Sequence, residues 1–341
     1  MSKKQTTGLI VAAVIFVVVG IISVITNAVS SKMTKKSSTT DFNAMLESLT
    51  GTSNEALMDM PTTEDFIAVV PIEGTIQAST SSSMYASTPT YDHDMLMEYV
   101  NLLIKNDKNK GIVLRLDTPG GSVYEADELY LKLMEYKEKT GRPIWAYMES
   151  QCCSGGVYLA ASADEQYANR ITTTGSIGVI MSTYDMSELY EKLGIKEVNI
   201  VSAENKDMGT SGKPMTDEQK AILQSMIDEY YNQFVEIVAT GRNMSVNEVK
   251  KIADGRIYTA TQAVDNGLID GIKTSEEFDA YVKEQSGVDK FFEPASETDP
   301  WAQLFGMMST TKEKSEAEVL VELMNELGSG VPMYYAKPIG K

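Results

Sequence analysis

A serine in a glycine-rich turn is the side chain of this sequence best suited to nucleophilic catalysis. Ser154 lies in the run Cys152-Cys153-Ser154-Gly155-Gly156, between a predicted strand and a predicted helix of small residues. Small residues let a substrate backbone approach closely. A helix N-terminus at this point would offer N–H groups and a positive dipole end to a developing oxyanion. Serine is also a common N-cap, so a purely structural cap is the alternative.

A second glycine pair could complete the same site. Gly120-Gly121 follows a predicted strand and precedes a predicted helix, so one backbone N–H could point into a cleft. The N–H groups of Gly121 and Gly155 would together form an oxyanion hole. In isolation, Pro119-Gly120-Gly121 is explained equally well as a plain turn.

If Ser154 is a catalytic nucleophile, we do not expect a histidine to be its general base. The chain has one histidine, His93, in a polar loop far upstream of Ser154, and we expect it at the surface. This argues against a Ser–His–Asp design. The base would then be a lysine, an aspartate or a glutamate, and a lysine can serve only where burial lowers its pKa from about 10.4. Lys206 and Lys213 are the candidates, and their chemistry alone does not choose between them.

Alternating apolar runs and helical stretches are predicted to position these residues. Capping-box spacing marks two helix starts, at Ser122 with Glu125 and at Thr216 with Gln219. The repeated order of strand, turn and helix is typical of an α/β layered fold. The predicted strands are 66–72, 111–116 and 143–148, and the predicted helices are 123–139, 157–163 and 217–239.

An uncharged apolar segment near the N-terminus predicts a membrane anchor. Residues 8–26 are nineteen positions without a charge, which as a helix just cross the hydrocarbon layer. No small-x-small site follows, so we expect the segment to stay uncleaved. Lysines flank it on both sides, which leaves its orientation open. The predicted organisation is a short leading segment (1–7), the anchor (8–27), a stalk (28–64), a folded domain (65–290) and a partly flexible C-terminal extension (291–341).

Charge and cysteine content exclude several classes of function. Beyond residue 36 the chain holds 25 basic and 48 acidic side chains, a formal charge of −23, so binding to nucleic acid is not expected. The two cysteines, Cys152 and Cys153, are adjacent and offer no disulfide framework. With one histidine besides, a structural zinc site is not expected, and neither is any other metal or cofactor.

Five short blocks occur along the chain in a fixed order. They are Asp117-Thr-Pro-Gly-Gly-Ser122, Ser154-Gly-Gly156, Thr174-Gly-Ser-Ile-Gly-Val179, Lys206-Asp-Met-Gly209 and Asp254–Asp270. In this order they resemble the signal peptide peptidases of the SppA type, peptidase family S49, and in particular their short, single-domain members. Each block is weak alone, because Pro-Gly-Gly also occurs in Clp proteases and crotonase-like enzymes. The resemblance covers roughly residues 65–280.

The resemblance implies a role for individual residues. Ser154 falls on the family nucleophile and Lys206, rather than Lys213, on its general base. Ser176 matches a serine that orients this lysine. Gly121 and Gly155 fall on the oxyanion-hole positions.

The resemblance also implies fold, substrate and location. The expected fold is a crotonase/Clp-like ββα spiral with an N-terminal transmembrane helix. The expected activity is endoproteolysis of released signal peptides and other extended apolar peptides. Short members form ring-like homo-oligomers whose sites combine Ser and Lys of neighbouring subunits. The single-pass anchor would leave residues 1–7 in the cytoplasm and the peptidase domain outside the cell membrane.

Three alternatives accompany this interpretation. Cys153 could be the nucleophile, although the Gly-Gly pair follows Ser154. A crotonase-like acyl-CoA hydratase or isomerase would use the same oxyanion hole but would need a CoA site. A non-catalytic membrane scaffold or regulator would not need Ser154. The Ser/Thr-rich insertion at 79–90 has no predicted role, and self-trimming of the polar C-terminal extension is a further hypothesis.

Overall fold

The computed structural model describes residues 60–79 and 91–294, together with the backbone of 333–335. The helices are α1 (His93–Lys105), α2 (Val123–Thr140), α3 (Gly155–Ala160), α4 (Ser187–Lys192), α5 (Asp217–Gly241), α6 (Val246–Ile252), α7 (Ala260–Asp265) and α8 (Ser275–Ser286). The strands are β1 (Phe66–Glu73), β2 (Asn109–Thr118), β3 (Gly120–Ser122), β4 (Ile144–Cys153), β5 (Glu165–Ala168), β6 (Thr173–Gly175), β7 (Ile257–Thr259), β8 (Gly271–Ile272), β9 (Phe291–Phe292) and β10 (Met333–Tyr335).

A parallel-rich sheet forms the centre of this mixed α/β fold. Its main path runs β7-β6-β4-β2-β1-β9, and β5 joins β4 to β8. All of these pairs are parallel except β6 with β7. Strand β4 pairs with β5 along its first half and with β6 along its last three residues, so its carboxyl end lies beside that of β6.

Both faces of the sheet are covered, which explains the continuous apolar runs of its strands. On one face Ile112 and Leu114 of β2 belong to the large core, where they pack with helices α1, α2 and α3. On the other face Val113 and Trp145 pack against Phe278 of α8. Successive residues of a strand therefore point alternately into the one core and into the other.

The predicted elements are largely confirmed, but the helix predicted at 157–163 spans Gly155–Ala160 and one predicted cap is not formed. The three predicted strands and the helices at 123–139 and 217–239 are present, and the capping box of Thr216 with Gln219 is formed. The capping box of Ser122 is not formed, since its side chain makes no cap hydrogen bond. Its backbone is instead part of β3, and its N–H donates to the carbonyl of Ile76.

The predicted anchor lies outside the described residues, as do residues 80–90 of the insertion. Within residues 60–79 and 91–294, no helix is long and apolar enough to cross a membrane. The described fold begins at residue 60, where Met60 packs against the large core.

Candidate active site

Ser154 lies at the junction of β4 and α3 in a strained backbone conformation. Its φ of 53° and ψ of −112° fall in a region that residues with a Cβ rarely adopt. Its N–H donates to the carbonyl of Gly175 over 2.8 Å, and its own carbonyl accepts from the Tyr158 N–H over 3.0 Å. These two bonds hold the sharp turn between strand and helix.

The Ser154 side chain is buried without a partner. The residue is 1% exposed, and its Oγ makes no hydrogen bond. A buried hydroxyl without a partner is destabilising and is found where a group serves a ligand or a reaction. Ser154 makes no side-chain cap bond to α3, so the structure does not support a purely structural N-cap.

The two predicted oxyanion-hole glycines lie next to each other. A Cβ built on Gly155 would be 3.4 Å from the amide nitrogen of Gly121. Gly155 is the first residue of α3, where N–H groups have no partner within the helix. Gly121 admits no side chain at all, because a Cβ there would lie 1.9 Å from the carbonyl oxygen of Ile76.

The Gly121 N–H points towards the edge of β3 that faces away from Ile76. Ile76 donates its N–H to the carbonyl of Gly120, over 2.9 Å, and accepts from the Ser122 N–H, over 2.8 Å. Because successive peptide groups of a strand point to opposite sides, the N–H and C=O of Gly121 face away from Ile76. On that side β10 pairs antiparallel with β3, with residue 334 opposite Gly121.

Two residues that sequence reasoning missed shape this glycine turn. Ile76 forms the wall against which Gly121 packs, and its side chain approaches the Cβ position of Gly155 to 3.2 Å. Thr118 accepts from the Gly120 N–H with its Oγ1 and donates to the carbonyl of Gly74. The Asp-Thr-Pro-Gly-Gly run could have indicated Thr118, whereas Ile76 has no local signal.

Ser176 is brought to Ser154 by the register of β4 and β6. Cys153 pairs with Gly175, so Ser154 and Ser176 each follow the last paired residue of their strand. Ser176 also has a positive φ, 52°, and it is buried. Its N–H donates to the carbonyl of Arg256 over 2.7 Å, which fixes the turn after β6.

The two candidate lysines differ in their surroundings. Lys213 forms an ion pair of 2.8 Å with Asp207. The Lys206 side chain is exposed, and no described residue gives its ammonium a hydrogen bond or an ion pair. Both lie in the segment 178–218, which contains no buried residue. In the single chain Lys206 therefore lacks the burial that a lysine base needs.

The expectation that His93 lies at the surface is wrong. His93 is 6% exposed; its Nδ1 is 2.8 Å from the Tyr91 hydroxyl and its Nε2 is 3.1 Å from Glu128. Glu128 stands on α2, 35 residues away, so local sequence could not indicate this pairing. The imidazole therefore lies between the start of α1 and helix α2.

The cysteines beside Ser154 are buried thiols. Burial raises the pKa of Cys153 to about 12, and it raises the pKa of Cys152 as well. Both residues are almost fully buried, and Cys153 Sγ lies 3.6 Å from the carbonyl of Thr173. A thiol that stays protonated is a poor nucleophile, which argues against Cys153 in that role. Among the described residues, no group of three His, Cys, Asp or Glu side chains is placed to hold a metal ion.

Comparison with known proteins identifies the family of this fold and site. A model of peptidase family S49 matches residues 136–289. The "Putative signal peptide peptidase SppA" of Enterococcus faecium is 34% identical over 283 residues, which cover 79% of this chain and 80% of that protein. The chain belongs to peptidase family S49. It is therefore a serine peptidase, a hydrolase of peptide bonds.

Further relatives of this S49 peptidase span different organisms. The "Putative protease slr0021" of Synechocystis is 34% identical over 223 residues, 65% of this chain and 75% of that protein. The "Serine protease SPPA, chloroplastic" of Arabidopsis thaliana is 28% identical over 196 residues, 57% of this chain and 29% of that protein. The region matched by the family model includes Ser154, Ser176 and Lys206, and Gly121 lies before it.

Proposed function

We propose that this S49 peptidase cleaves peptides with a dyad of Ser154 and Lys206. One observation carries the assignment of the nucleophile: the buried Ser154 hydroxyl has no partner and stands at a helix start beside two glycine amides. In this proposal Ser154 Oγ attacks a carbonyl carbon whose oxygen accepts from the N–H groups of Gly121 and Gly155. We assign to Ser176 the role of orienting the lysine, and its position directly after Gly175, whose carbonyl accepts from the Ser154 N–H, supports this assignment.

The proposed reaction proceeds through an acyl-enzyme. Neutral Lys206 takes the proton of the Ser154 hydroxyl as Oγ attacks the peptide carbonyl carbon. The N–H groups of Gly121 and Gly155 stabilise the oxyanion. Lys206 then gives the proton to the leaving amine as the peptide bond breaks. Water, deprotonated by the same lysine, hydrolyses the ester and releases Ser154.

The proposed substrates are released signal peptides and other extended apolar peptides. The outward-facing edge of β3 supports binding by strand addition, and β10 shows that an extended segment fits antiparallel along Gly120–Ser122. The name of the Enterococcus relative, a signal peptide peptidase, agrees with this substrate class.

The position of β10 also supports trimming of the C-terminal extension by the enzyme itself. Residues 333–335 lie along the strand edge that a substrate would occupy. The intact mass of the wild type should then be smaller than that of Ser154→Ala. A wild type that is heavier than Ser154→Ala by only the one oxygen atom that the substitution removes would rule out this part of the proposal.

We extend the proposal to a homo-oligomer, ring-like in form, whose sites combine residues of neighbouring subunits. Lys206 is exposed in the single chain and lies in a segment with no buried residue. A second copy packed on this segment would supply the missing desolvation. The segment exposes large apolar side chains suited to such an interface: Ile180, Tyr184, Leu189, Leu193, Ile195, Val198 and Ile200.

The remaining parts of the proposal concern fold family and location. The parallel-rich sheet with helices on both faces is compatible with a crotonase/Clp-like ββα spiral. Residues 8–27 are proposed as a single-pass anchor in the cell membrane, with the peptidase domain on the extracytoplasmic side. The length and apolar character of residues 8–26 support this part.

Covalent labelling tests the nucleophile. A fluorophosphonate probe reacts with an activated serine, so we expect it to modify the full-length protein at Ser154, identified by mass spectrometry of the digested protein. Ser154→Ala should abolish labelling, and Cys153→Ala should retain it. Labelling at another serine, or undiminished labelling of Ser154→Ala, would contradict the proposal.

A further inference from the structure

The helix that carries the oxyanion-hole glycine has almost no side chains in its first turn. Helix α3 is only six residues long and begins with Gly155 and Gly156. Glycine is conformationally permissive, so the φ and ψ angles at the start of α3 are not restricted by side chains. The first large side chain of the helix is Tyr158, which is fully buried.

Tyr158 is bound at both its ends. Its backbone N–H donates to the carbonyl of Ser154 over 3.0 Å. Its phenolic hydroxyl donates to Asp127 Oδ1 on α2. Gln233 on α5 donates from Nε2 to that same carboxylate oxygen and to the Tyr158 hydroxyl oxygen, each over 3.0 Å. We call Asp127, Tyr158 and Gln233 the Tyr158 brace.

The Tyr158 brace joins three helices, each of which begins at, or follows in sequence, a residue of the proposed site. Helix α2 starts directly after Gly121 and Ser122, helix α3 starts at the nucleophile, and helix α5 follows the segment that holds Lys206. The Tyr158 ring is itself held between Tyr130 of α2 and Phe234 of α5, with ring centroids 5.4 Å and 5.1 Å away. Removal of the hydroxyl alone would therefore leave the ring in its place.

We propose that the Tyr158 brace positions the Gly155 N–H against the Gly121 N–H, and so sets the geometry of the oxyanion hole. The three residues are positioning residues, since they act through the backbone of α3. Hydrogen-bond donors of an oxyanion hole must be held to within a fraction of an ångström, and displacement by 1 Å can cost a hundredfold in rate. The inference rests on the proposed function, because it assumes Ser154 as the nucleophile.

Tyr158→Phe in the full-length protein is the direct test. Loss of one donor of an oxyanion hole costs 10²–10³ in kcat, so a displaced donor should lower kcat by about tenfold with KM within about twofold. The affinity for a peptide aldehyde, which forms an oxyanion with the enzyme, should fall by a similar factor. The affinity for the matching peptide alcohol, which forms none, should not change.

Two further variants separate positioning from a general loss of stability. Tyr130→Phe removes a hydroxyl from the ring packed against Tyr158 but leaves the Tyr158 brace intact, so it should keep wild-type kcat and aldehyde affinity. Gln233→Leu should reproduce the effect of Tyr158→Phe, and the double variant should lose less than the product of the two effects, because both act on one network.

The outcomes distinguish failure of this inference from failure of the proposed function. If Ser154→Ala is inactive and Tyr158→Phe keeps wild-type kcat, the Tyr158 brace does not position the oxyanion hole. Equal losses of aldehyde and alcohol affinity in Tyr158→Phe would also overturn the inference, since they indicate impaired peptide binding. If Ser154→Ala remains active, the proposed nucleophile itself is wrong.

Discussion

The N–H of Ser154 donates a hydrogen bond of 2.8 Å to the carbonyl oxygen of Gly175, the residue directly before Ser176. This bond links the turn after β4 to the turn after β6, and both serines have positive φ angles, 53° and 52°. Two strained residues at the carboxyl ends of neighbouring strands are typical of a functional site, because the surrounding structure must offset their cost. The sheet register thus brings together two blocks that lie 22 residues apart in sequence.

Replacement of the strained serine by glycine should stabilise the protein. Backbone strain of this kind costs about 1–3 kcal/mol, and glycine removes it while losing more chain entropy on folding. We expect Ser154→Gly to raise the free energy of unfolding by up to about 1 kcal/mol and to abolish peptidase activity. Denaturant unfolding measures the first effect.

Ser162→Gly is the matched control for this prediction. Ser162 is also buried, but its hydroxyl donates to the carbonyl of Leu159 over 2.7 Å and its φ is not positive. This variant should lose stability. If Ser154→Gly is destabilised as much as Ser162→Gly, the turn is not strained in the way described.

The two glycines of the proposed oxyanion hole should tolerate alanine to different degrees. At Gly121 a Cβ would overlap the Ile76 carbonyl at 1.9 Å, so the strand would have to move. At Gly155 the nearest atom is the end of the Ile76 side chain, at 3.2 Å, which can shift. We expect Gly121→Ala to reduce kcat by a factor on the order of 100 or more and Gly155→Ala by clearly less. The reverse order in kinetic assays would contradict the described packing.

Shared sites can be tested by mixing two inactive variants. If each site takes Ser154 from one subunit and Lys206 from its neighbour, subunits of Ser154→Ala and Lys206→Ala assembled together form some complete sites. Random 1:1 assembly makes about a quarter of the sites complete, because each of the two contributing subunits must be the right one. Recovery of about that share of activity supports shared sites, whereas none would indicate that each subunit supplies both residues.

Acid should remove the contribution of Asp270 to stability. Burial acts to raise the pKa of this carboxyl, but two hydrogen bonds from Arg242 and one from the Gln166 N–H outweigh it and hold the pKa below its usual value. A carboxyl with a lowered pKa in the folded state stabilises the folded protein at pH values above its unfolded-state pKa of about 3.9. This stabilisation is lost as the pH falls through the folded-state pKa.

Asp270→Asn measures that contribution directly. Because the carboxyl is partly exposed, we expect a loss of only about 1 kcal/mol at pH 7. The difference from wild type should shrink as pH falls below about 4. Asp265→Asn, at an exposed position, controls for the loss of one carboxylate charge. A constant difference for Asp270→Asn between pH 7 and pH 3 would contradict the assignment.

Features set by neighbours in sequence could be predicted, and features set by distant partners could not. The strands, the long helix α5 and its cap at Thr216 follow from local pattern, and the structure confirms them. Ser122 has the same spacing as a helix cap, but pairing with Ile76 engages its backbone instead. The burial of His93 could not be predicted from local sequence, because its partner Glu128 lies on another helix.

The site divides in the same way. The glycine-rich runs around Gly121 and Ser154 could be recognised because their local conformation requires small residues. Ile76 packs against the same site through tertiary contact, and no local sequence pattern indicated it. Lys206 was chosen over Lys213 only by resemblance, and in the single chain it remains exposed.

Cleavage of an apolar fluorogenic peptide by the full-length protein tests the central claim most directly. Wild type, Ser154→Ala, Lys206→Ala and Lys213→Ala would be compared at equal oligomeric size. The Ser154–Lys206 dyad predicts that the first two variants lose activity and that Lys213→Ala, which breaks only an exposed ion pair with Asp207, keeps it. Full activity of Lys206→Ala, or loss of activity in Lys213→Ala alone, would contradict the dyad.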